Sequence, residues 1–550
     1  MIRSNGYYID KTELLYELVE ETSNEVTLFT RPRRFGKTLT MSMMENFFSI
    51  LKPQSSDLFA DLNISQHEAF CHEWMNQYPT LFISLKDVEG LTFDSAYGML
   101  VAEISKLCIK VNFLEDEETV DTADAEIFHR LKFKEASAED IKNSLQIIMR
   151  MMYAVYGKPT ILLIDEYDVP LAKAHANGYY REMLEVIRGL MSTSFKTNNY
   201  LKFAVVTGCL RIPKESIFTE VNNFASYSVL EEEFSQYFGF TQNEIEELLQ
   251  YYDREDKIET IRKWYDGYVF GSTEIYCPWD AMSYVSELRK RPDAKPKLYW
   301  VNTSGNDAIK GFFELENTDI TDKLEALLNG ETITENVTNA LTYEEAYNSE
   351  DNLWSILLMT GYVTAVSQEN CNDFADTEDE GFRGAELRIP NREISKVFQK
   401  AVVDHFNRTA DIGQIQDLMQ ALWNEDEDKA TEILSDLLWN TISYMDYHED
   451  YYHAFVAGIF VGRGKYAVRS NRERGLGRPD IDLRDKKNRR AMIIEAQKAE
   501  SMSRMDYWCD EAIKQIVDNE YAENMNGYNK VLCYGISFFE KSAKVKLKRP

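Results

Sequence analysis

The stretch that most narrows the folds open to this chain is Arg31-Pro-Arg-Arg-Phe-Gly-Lys-Thr38. The apolar run Val26-Thr-Leu-Phe-Thr30 before it predicts a strand, and Leu39-Thr-Met-Ser-Met-Met-Glu-Asn-Phe-Phe48 after it predicts a helix. Strand, tight loop, Gly-Lys-Thr and helix is the order of a P-loop. In such a loop, backbone N–H groups and the helix N-terminus hold phosphate oxygens. Lys37 then reaches the β- and γ-phosphates, the Thr38 hydroxyl ligates Mg²⁺, and Gly36 lets the backbone approach closely. Arg33, Arg34 and Phe35 complete the loop and count with it as nucleotide-binding residues. ATP and Mg²⁺ are the cofactors this predicts. The usual first glycine falls at position 31, which is arginine, so the string standing alone reads equally as a basic surface turn.

A second string decides between those readings. Ile161-Leu-Leu-Ile-Asp165-Glu166 is an apolar strand ending in two carboxylates, as a Walker B strand does. Such a strand is expected beside the P-loop strand, where Asp165 holds Mg²⁺ through water and Glu166 polarises the attacking water. The plain alternative is a buried strand with a capping acid. A third strand, Phe203-Ala-Val-Val-Thr207, places Thr207 where a hydroxyl senses the γ-phosphate, and Arg211 follows as a charge-stabilising arginine; either reads as well as a turn residue. With Thr80-Leu-Phe-Ile-Ser-Leu85, these strands alternate with helical patterns and predict a parallel sheet covered on both faces.

The expected organisation is α/β throughout: a P-loop sheet domain over 1–235, a mostly helical region over 236–400 and an α/β restriction-endonuclease-like domain over 401–550. In the middle region Thr241 and Glu244 have capping-box spacing, and the acidic stretch Asp373 to Glu380 reads as a solvated loop. With 550 residues the chain is too long for one core, and 44% apolar against 28% charged residues excludes disorder. Seven scattered cysteines never spaced as CxxC suggest neither a disulfide framework nor a zinc site. No apolar run is long enough for a membrane span and the start lacks a secretory pattern, so a cytoplasmic protein without a membrane partner is expected.

A net charge of −31 repels polyanions, yet one window reverses the sign. From Arg463 to Lys498 there are twelve Lys or Arg against five Asp or Glu, a net of +7 that suits a nucleic-acid backbone, though a solvated basic hairpin would look the same. Within it, Asp480-Ile-Asp-Leu483 leads through a charged turn to Ala491-Met-Ile-Ile-Glu495-Ala-Gln497-Lys498. Two strands so joined bring Asp480 and Glu495 together, the paired carboxylates of a Mg²⁺-dependent phosphodiesterase. Glu449, before Tyr452-His453, is a further candidate metal ligand, and Gln515 and Tyr521 are candidate helix polar groups. Glu495 and Gln497 share a strand face, so Lys498 joins them only if the strand bulges. The set Asp480, Glu495, Gln497 and Lys498 is therefore the candidate catalytic group, with metal binding expected ahead of cleavage.

Tyr8-Ile-Asp-Lys-Thr12, Thr30-Arg-Pro-Arg-Arg-Phe-Gly-Lys-Thr38, Asp165-Glu166-Tyr-Asp168, Ser216-Ile-Phe and Trp264-Tyr-Asp-Gly-Tyr268 together resemble an AAA-ATPase-like family of bacterial proteins. Those proteins carry a PD-(D/E)XK nuclease-like domain at the C-terminus. The resemblance spans most of the chain, makes Arg31 the family norm, and implies a P-loop ATPase with a role in mobile-element or defence biology. Leu353 to Tyr362 and Arg388 to Glu393 also resemble the family, and a packing or turn role is expected for them and for Trp264 to Tyr268. The reading that follows is an ATPase whose nucleotide state controls a nuclease-like domain acting on or binding nucleic acid, DNA ahead of RNA, with self-association left open. The competing class is a signal-transduction-type ATPase switch whose degenerate nuclease domain docks nucleic acid or a protein, and Gln497 is the residue that favours it. A nucleoside-phosphate kinase is a third class, which lacks any supporting small-molecule signature.

Overall fold

All five residues of the strand β1 (Val26–Thr30) are buried, which a strand attains when helices cover both faces of its sheet. The computed structural model of the protein describes residues 6–21, 24–212, 218, 223–300, 323–324, 326–345, 349–366, 383–409, 412–441, 452, 459, 467–470, 480–519, 521, 525 and 527–548. Strands β2 (Thr80–Ser84), β3 (Thr160–Asp165), β4 (Leu201–Gly208) and β5 (Phe224–Tyr227) join β1 in a parallel sheet of order β2-β3-β4-β1-β5. The expected neighbour relation is corrected here, because β4 stands between β3 and β1. Its apolar stretch Ala204-Val-Val206 is fully buried and takes the central slot, where both faces of a strand are covered.

The helix Lys37–Phe48 begins at Gly36, whose φ of +88° turns the chain sharply into it. It buries Met41, Met44, Phe47 and Phe48 at helical spacing against the sheet. The middle residues 242–290 form helices Gln242–Tyr251, Ile258–Tyr265 and Pro278–Lys290 around a cluster that includes Ile245, Leu248, Ile261, Tyr265, Tyr284 and Leu288. The first of these starts at the expected Thr241 and Glu244 capping box. A hairpin of β6 (Tyr268–Phe270) and β7 (Thr273–Ile275), and a sheet of β8 (Ile333–Val337), β10 (Arg383–Arg388) and β9 (Thr364–Ala365), complete the region. By contacts the chain forms two compact units, Met1–Ala308 with Thr334–Glu393, and Ile309–Ile333 with Ile394–Pro550.

The second unit holds the sheet β11 (Ala467–Ser470), β12 (Ile481–Asp485), β13 (Arg490–Lys498), β14 (Lys530–Phe539) and β15 (Ser542–Leu547), in that order. Only β13 and β14 run parallel, and the helix Met505–Asp518 connects them. Alternation divides β13 between two layers. Met492, Ile494 and Ala496 pack with Leu418, Leu422, Leu434 and Leu438 of helices Ile412–Trp423 and Glu427–Thr441, while Ala491 and Ile493 pack with Ile516 of the connecting helix.

Candidate functional site

A buried carboxylate has to be hydrogen-bonded, and Asp165, fully buried at the end of β3, accepts from three hydroxyls. Thr207 Oγ1 donates to its Oδ1 at 2.7 Å, while Thr38 Oγ1 and Ser84 Oγ donate to its Oδ2 at 2.8 and 3.2 Å. Three elements thus converge on one carboxylate: the first turn of the P-loop helix and the ends of β2 and β4. Thr207 also accepts from the backbone N–H of Glu166 at 3.3 Å, so the strand between β3 and β1 links the two acids to the loop. Ser84 was not anticipated, although its pattern, a hydroxyl ending an apolar strand, is that of Thr207.

Lys37 is almost fully buried, and its Nζ donates to the carbonyls of Arg31 (2.9 Å) and Pro32 (3.2 Å) and pairs with Glu166 Oε1 at 3.3 Å. Burial alone would lower its pKa, but Cys209, Glu166, Asp168 and Asp165 around it more than offset that and hold it above the usual lysine value. Glu166 has a φ of +54°, a left-handed conformation that aims its side chain away from the strand line. Its Oε2 is buried without a hydrogen-bond partner. Asp168 accepts from the N–H groups of Cys209 and Leu210 and from the Tyr343 hydroxyl, all within 3.1 Å. Burial and the neighbouring Glu166 raise its pKa, against the pull of Lys37 and those N–H groups.

Of these residues Lys37, Thr38 and Glu166 open onto a cavity of about 900 Å³ that Arg33, Arg34, Phe35 and Gly36 also line. Its far wall comes from elements that carried no assigned role, notably Tyr7 to Lys11 and the helix Pro278–Lys290. Phe35 contributes mostly to packing, since it is buried against Tyr268 and Phe270 at 4.9 and 5.0 Å. Arg31 is structural as well. Its guanidinium is buried, donates to the carbonyls of Thr30 and Tyr227, and lies over Phe238 and Phe270. Arg211 lies over the Phe224 ring at 5.7 Å, its carbonyl accepts from Leu341 N–H, and it is not part of the cavity wall.

The second site lies in the other unit. The register pairs Ile481 with Ile494, which puts Asp480 opposite Glu495. Each carboxylate accepts from the other strand: Asp480 N–H donates to Glu495 Oε2 (3.2 Å) and Ala496 N–H to Asp480 Oδ2 (2.8 Å). Gln515 of the connecting helix donates to Glu495 Oε1 at 2.6 Å and accepts from Gln497 Nε2 at 3.1 Å. Asp480, Glu495, Gln497 and Gln515 therefore form one polar cluster. The pairing of β13 with β14 runs unbroken from Glu495 through Lys498, so the bulge that would turn Lys498 to the catalytic face is absent and that assignment is corrected. Tyr521 lies beyond the end of the connecting helix, with its ring buried beside Ile493 and Ile516. Glu449 lies outside the described residues, as do 463–466 and 471–479 of the basic window. Within the rest of that window Arg484 pairs with Asp482 and Arg490 with Asp485, pairs internal to the window that leave its net charge unchanged.

Two family models match. Residues 1–218 match that of a predicted AAA-ATPase, and residues 447–548 that of the PD-(D/E)XK nuclease superfamily. A protein of Azotobacter chroococcum mcd 1, described as an uncharacterized protein in the vnfD 5'region, is 27% identical over 302 residues, which are 54% of this chain and 50% of the relative. The chain thus matches about half the length of that relative. Among the described residues no helix is long and apolar enough to cross a membrane.

Proposed function

We propose that this protein, in which an AAA-ATPase-like domain precedes a PD-(D/E)XK nuclease superfamily domain, binds and hydrolyses ATP at the Lys37–Asp165 site and acts through its second domain on nucleic acid, DNA ahead of RNA. The observation that carries the first half is the convergence of Thr38, Thr207 and Ser84 on Asp165 beside the Lys37–Glu166 pair. A hydroxyl and a carboxylate at 2.8 Å are a hard oxygen donor set of the kind Mg²⁺ takes, and Thr38 and Asp165 would hold it. When bound, that ion neutralises charge on the phosphate oxygens. Lys37 supplies a fixed positive charge to the same oxygens, and the unpartnered Oε2 of Glu166 is the group available to accept a proton from water.

In the second domain Asp480 and Glu495 would hold a further Mg²⁺ against a phosphodiester. A docking function for this domain is the second reading. It is favoured by Gln497, an amide already engaged by Gln515 where a lysine would supply positive charge. A role in mobile-element or defence biology rests on the family resemblance alone.

The test is ATP binding and turnover with Mg²⁺. Lys37→Ala should abolish binding, and Glu166→Gln should keep binding while turnover falls by roughly 10²–10⁴-fold. Unchanged ATP affinity in the first variant refutes the site, and undiminished turnover in the second moves the proton acceptor elsewhere.

A further inference from the structure

Strand β4 delivers Thr207 to Asp165, and the end of β4 is gripped by the turn that follows β3. Tyr167 N–H donates to the Thr207 carbonyl at 3.0 Å. The Tyr167 hydroxyl donates to the Leu210 carbonyl at 2.7 Å and accepts from Ile212 N–H at 3.1 Å. Asp168 Oδ2 accepts from Cys209 N–H and Leu210 N–H at 3.0 and 3.1 Å. Gly208 permits this approach, since a Cβ there would stand 2.7 Å from the Tyr167 ring and 2.8 Å from Asp168 Oδ1. The Gly208 carbonyl in turn accepts from Arg31 N–H at 3.1 Å, so the grip extends to the start of the phosphate loop.

Tyr343 enters this turn from 175 residues away, its hydroxyl donating to Asp168 Oδ2 at 3.1 Å. Its own segment is tied to the residues after β4: Ala340 bridges to Arg211, Leu341 N–H donates to the Arg211 carbonyl at 3.1 Å, and Asn339 donates to Glu231 at 3.1 Å. Burial and the Asp168 charge hold the Tyr343 hydroxyl well above the usual tyrosine range, so it stays protonated and donates. Asp168 Oδ1 is buried without a hydrogen-bond partner. Among the described residues Tyr343 is thus the one side chain that donates to Asp168, and its loss leaves the buried carboxylate with two backbone donors on one oxygen. A carboxylate so depleted regains partners by rotating, which moves Cys209 and Leu210 with it.

We propose that Tyr343 is a positioning residue for ATP hydrolysis: through Asp168 it holds the turn after β4, and through that turn the Thr207 hydroxyl that meets Asp165 and the Glu166 N–H. The inference rests on the nucleotide reading above and adds to it a residue that lies beyond the span 1–218 matched by the ATPase family model and outside the cavity wall. Lys37 and Thr38 reach the same site from the helix Lys37–Phe48, on which Tyr343 makes no hydrogen bond among the described residues. Displacing Thr207 and Glu166 therefore bears on turnover, while the groups that hold the triphosphate stay in place.

The experiment compares the full chain with its Tyr343→Phe variant, which removes the hydroxyl and keeps the ring. Steady-state ATP turnover in Mg²⁺ gives kcat, and calorimetric titration with a non-hydrolysable ATP analogue gives affinity. In Tyr343→Phe kcat should fall by roughly 10- to 100-fold, as on losing a group that orients a reacting one, with analogue affinity unchanged. Because Tyr343 acts through Asp168, Tyr343→Phe should cost nothing further in an Asp168→Ala background. An unchanged kcat in Tyr343→Phe overturns the proposal, and so does an equal loss of kcat and analogue affinity, which assigns Tyr343 a structural role only. Losses that add in the double variant overturn the route through Asp168. A wild type that does not bind the analogue overturns the nucleotide reading itself, and one that binds it without turning over ATP overturns the hydrolysis reading; this inference falls with either.

Discussion

Asp280 and Glu393 are buried carboxyls, 2% and 0% exposed, each with one oxygen lacking a hydrogen-bond partner. Burial raises both, Asp280 to about 7 and Glu393 to about 8; the charge of Asp280 adds to the rise of Glu393, while Cys277 and Arg34 pull Asp280 down. In the folded protein they keep protons that the unfolded chain releases near pH 4, so their contribution to stability is full below pH 4 and is lost as pH rises toward 8. Asp280→Asn or Glu393→Gln should therefore gain stability relative to wild type between pH 5 and pH 8, by at least about 1 kcal/mol. Denaturant midpoints at the two pH values check this, and parallel curves for wild type and variants count against it. At the other site, Gln497 can orient water through its amide but cannot supply the positive charge that stabilises a developing phosphorane. Gln497→Lys should raise Mg²⁺-dependent cleavage of plasmid DNA at least roughly tenfold, and Asp480→Ala should remove it in both backgrounds. Brisk wild-type cleavage that Lys498→Ala abolishes would mean that β13 bulges in solution.

Elements whose signals are local were readable directly. The four apolar runs became β1 to β4, and the capping box at Thr241 starts its helix as expected. Strand β5 was missed because Phe224-Ala-Ser-Tyr227 is short and only half buried, so its sequence carries neither an apolar run nor clean alternation. The Trp264 to Tyr268 string, expected to pack, does so through backbone as much as through rings. Gly267 has a φ of +92°, and a Cβ there would stand 2.0 Å from the carbonyl oxygen of Pro390. Asn391 closes the same contact by donating to the Asp266 carbonyl at 2.9 Å. Gly267→Ala should cost roughly 2 kcal/mol or more, from the left-handed backbone and the forced displacement of Pro390. Thermal unfolding of the variant is the check, and an unchanged midpoint would show that the turn relaxes freely.

At the scale of the whole molecule, two compact units divide the proposed chemistries between them, Lys37, Asp165 and Glu166 in one and Asp480 and Glu495 in the other. A ligand that binds only the folded first unit should stabilise that unit by about 2.7 kcal/mol at a hundred times its dissociation constant. Scanning calorimetry with ATP and Mg²⁺ should raise one transition and leave the other in place, and Lys37→Ala should remove the rise. A shift shared by both transitions would contradict this assignment. The sequence by itself determined the strand, Gly-Lys-Thr and helix order, the two acids at the end of β3, and the shared face of Glu495 and Gln497. Each of these depends on contiguous residues, whose burial pattern and two- or 3.6-residue period are written locally. Tertiary structure alone decided that β4 lies between β3 and β1, that Thr207 and Ser84 meet Asp165, that Arg211 packs over Phe224, and that the strap Tyr7 to Lys11 and Trp279 line one cavity. Strand order and cavity walls are settled by packing between residues far apart in the chain, and no local period records which distant partner fills a given place.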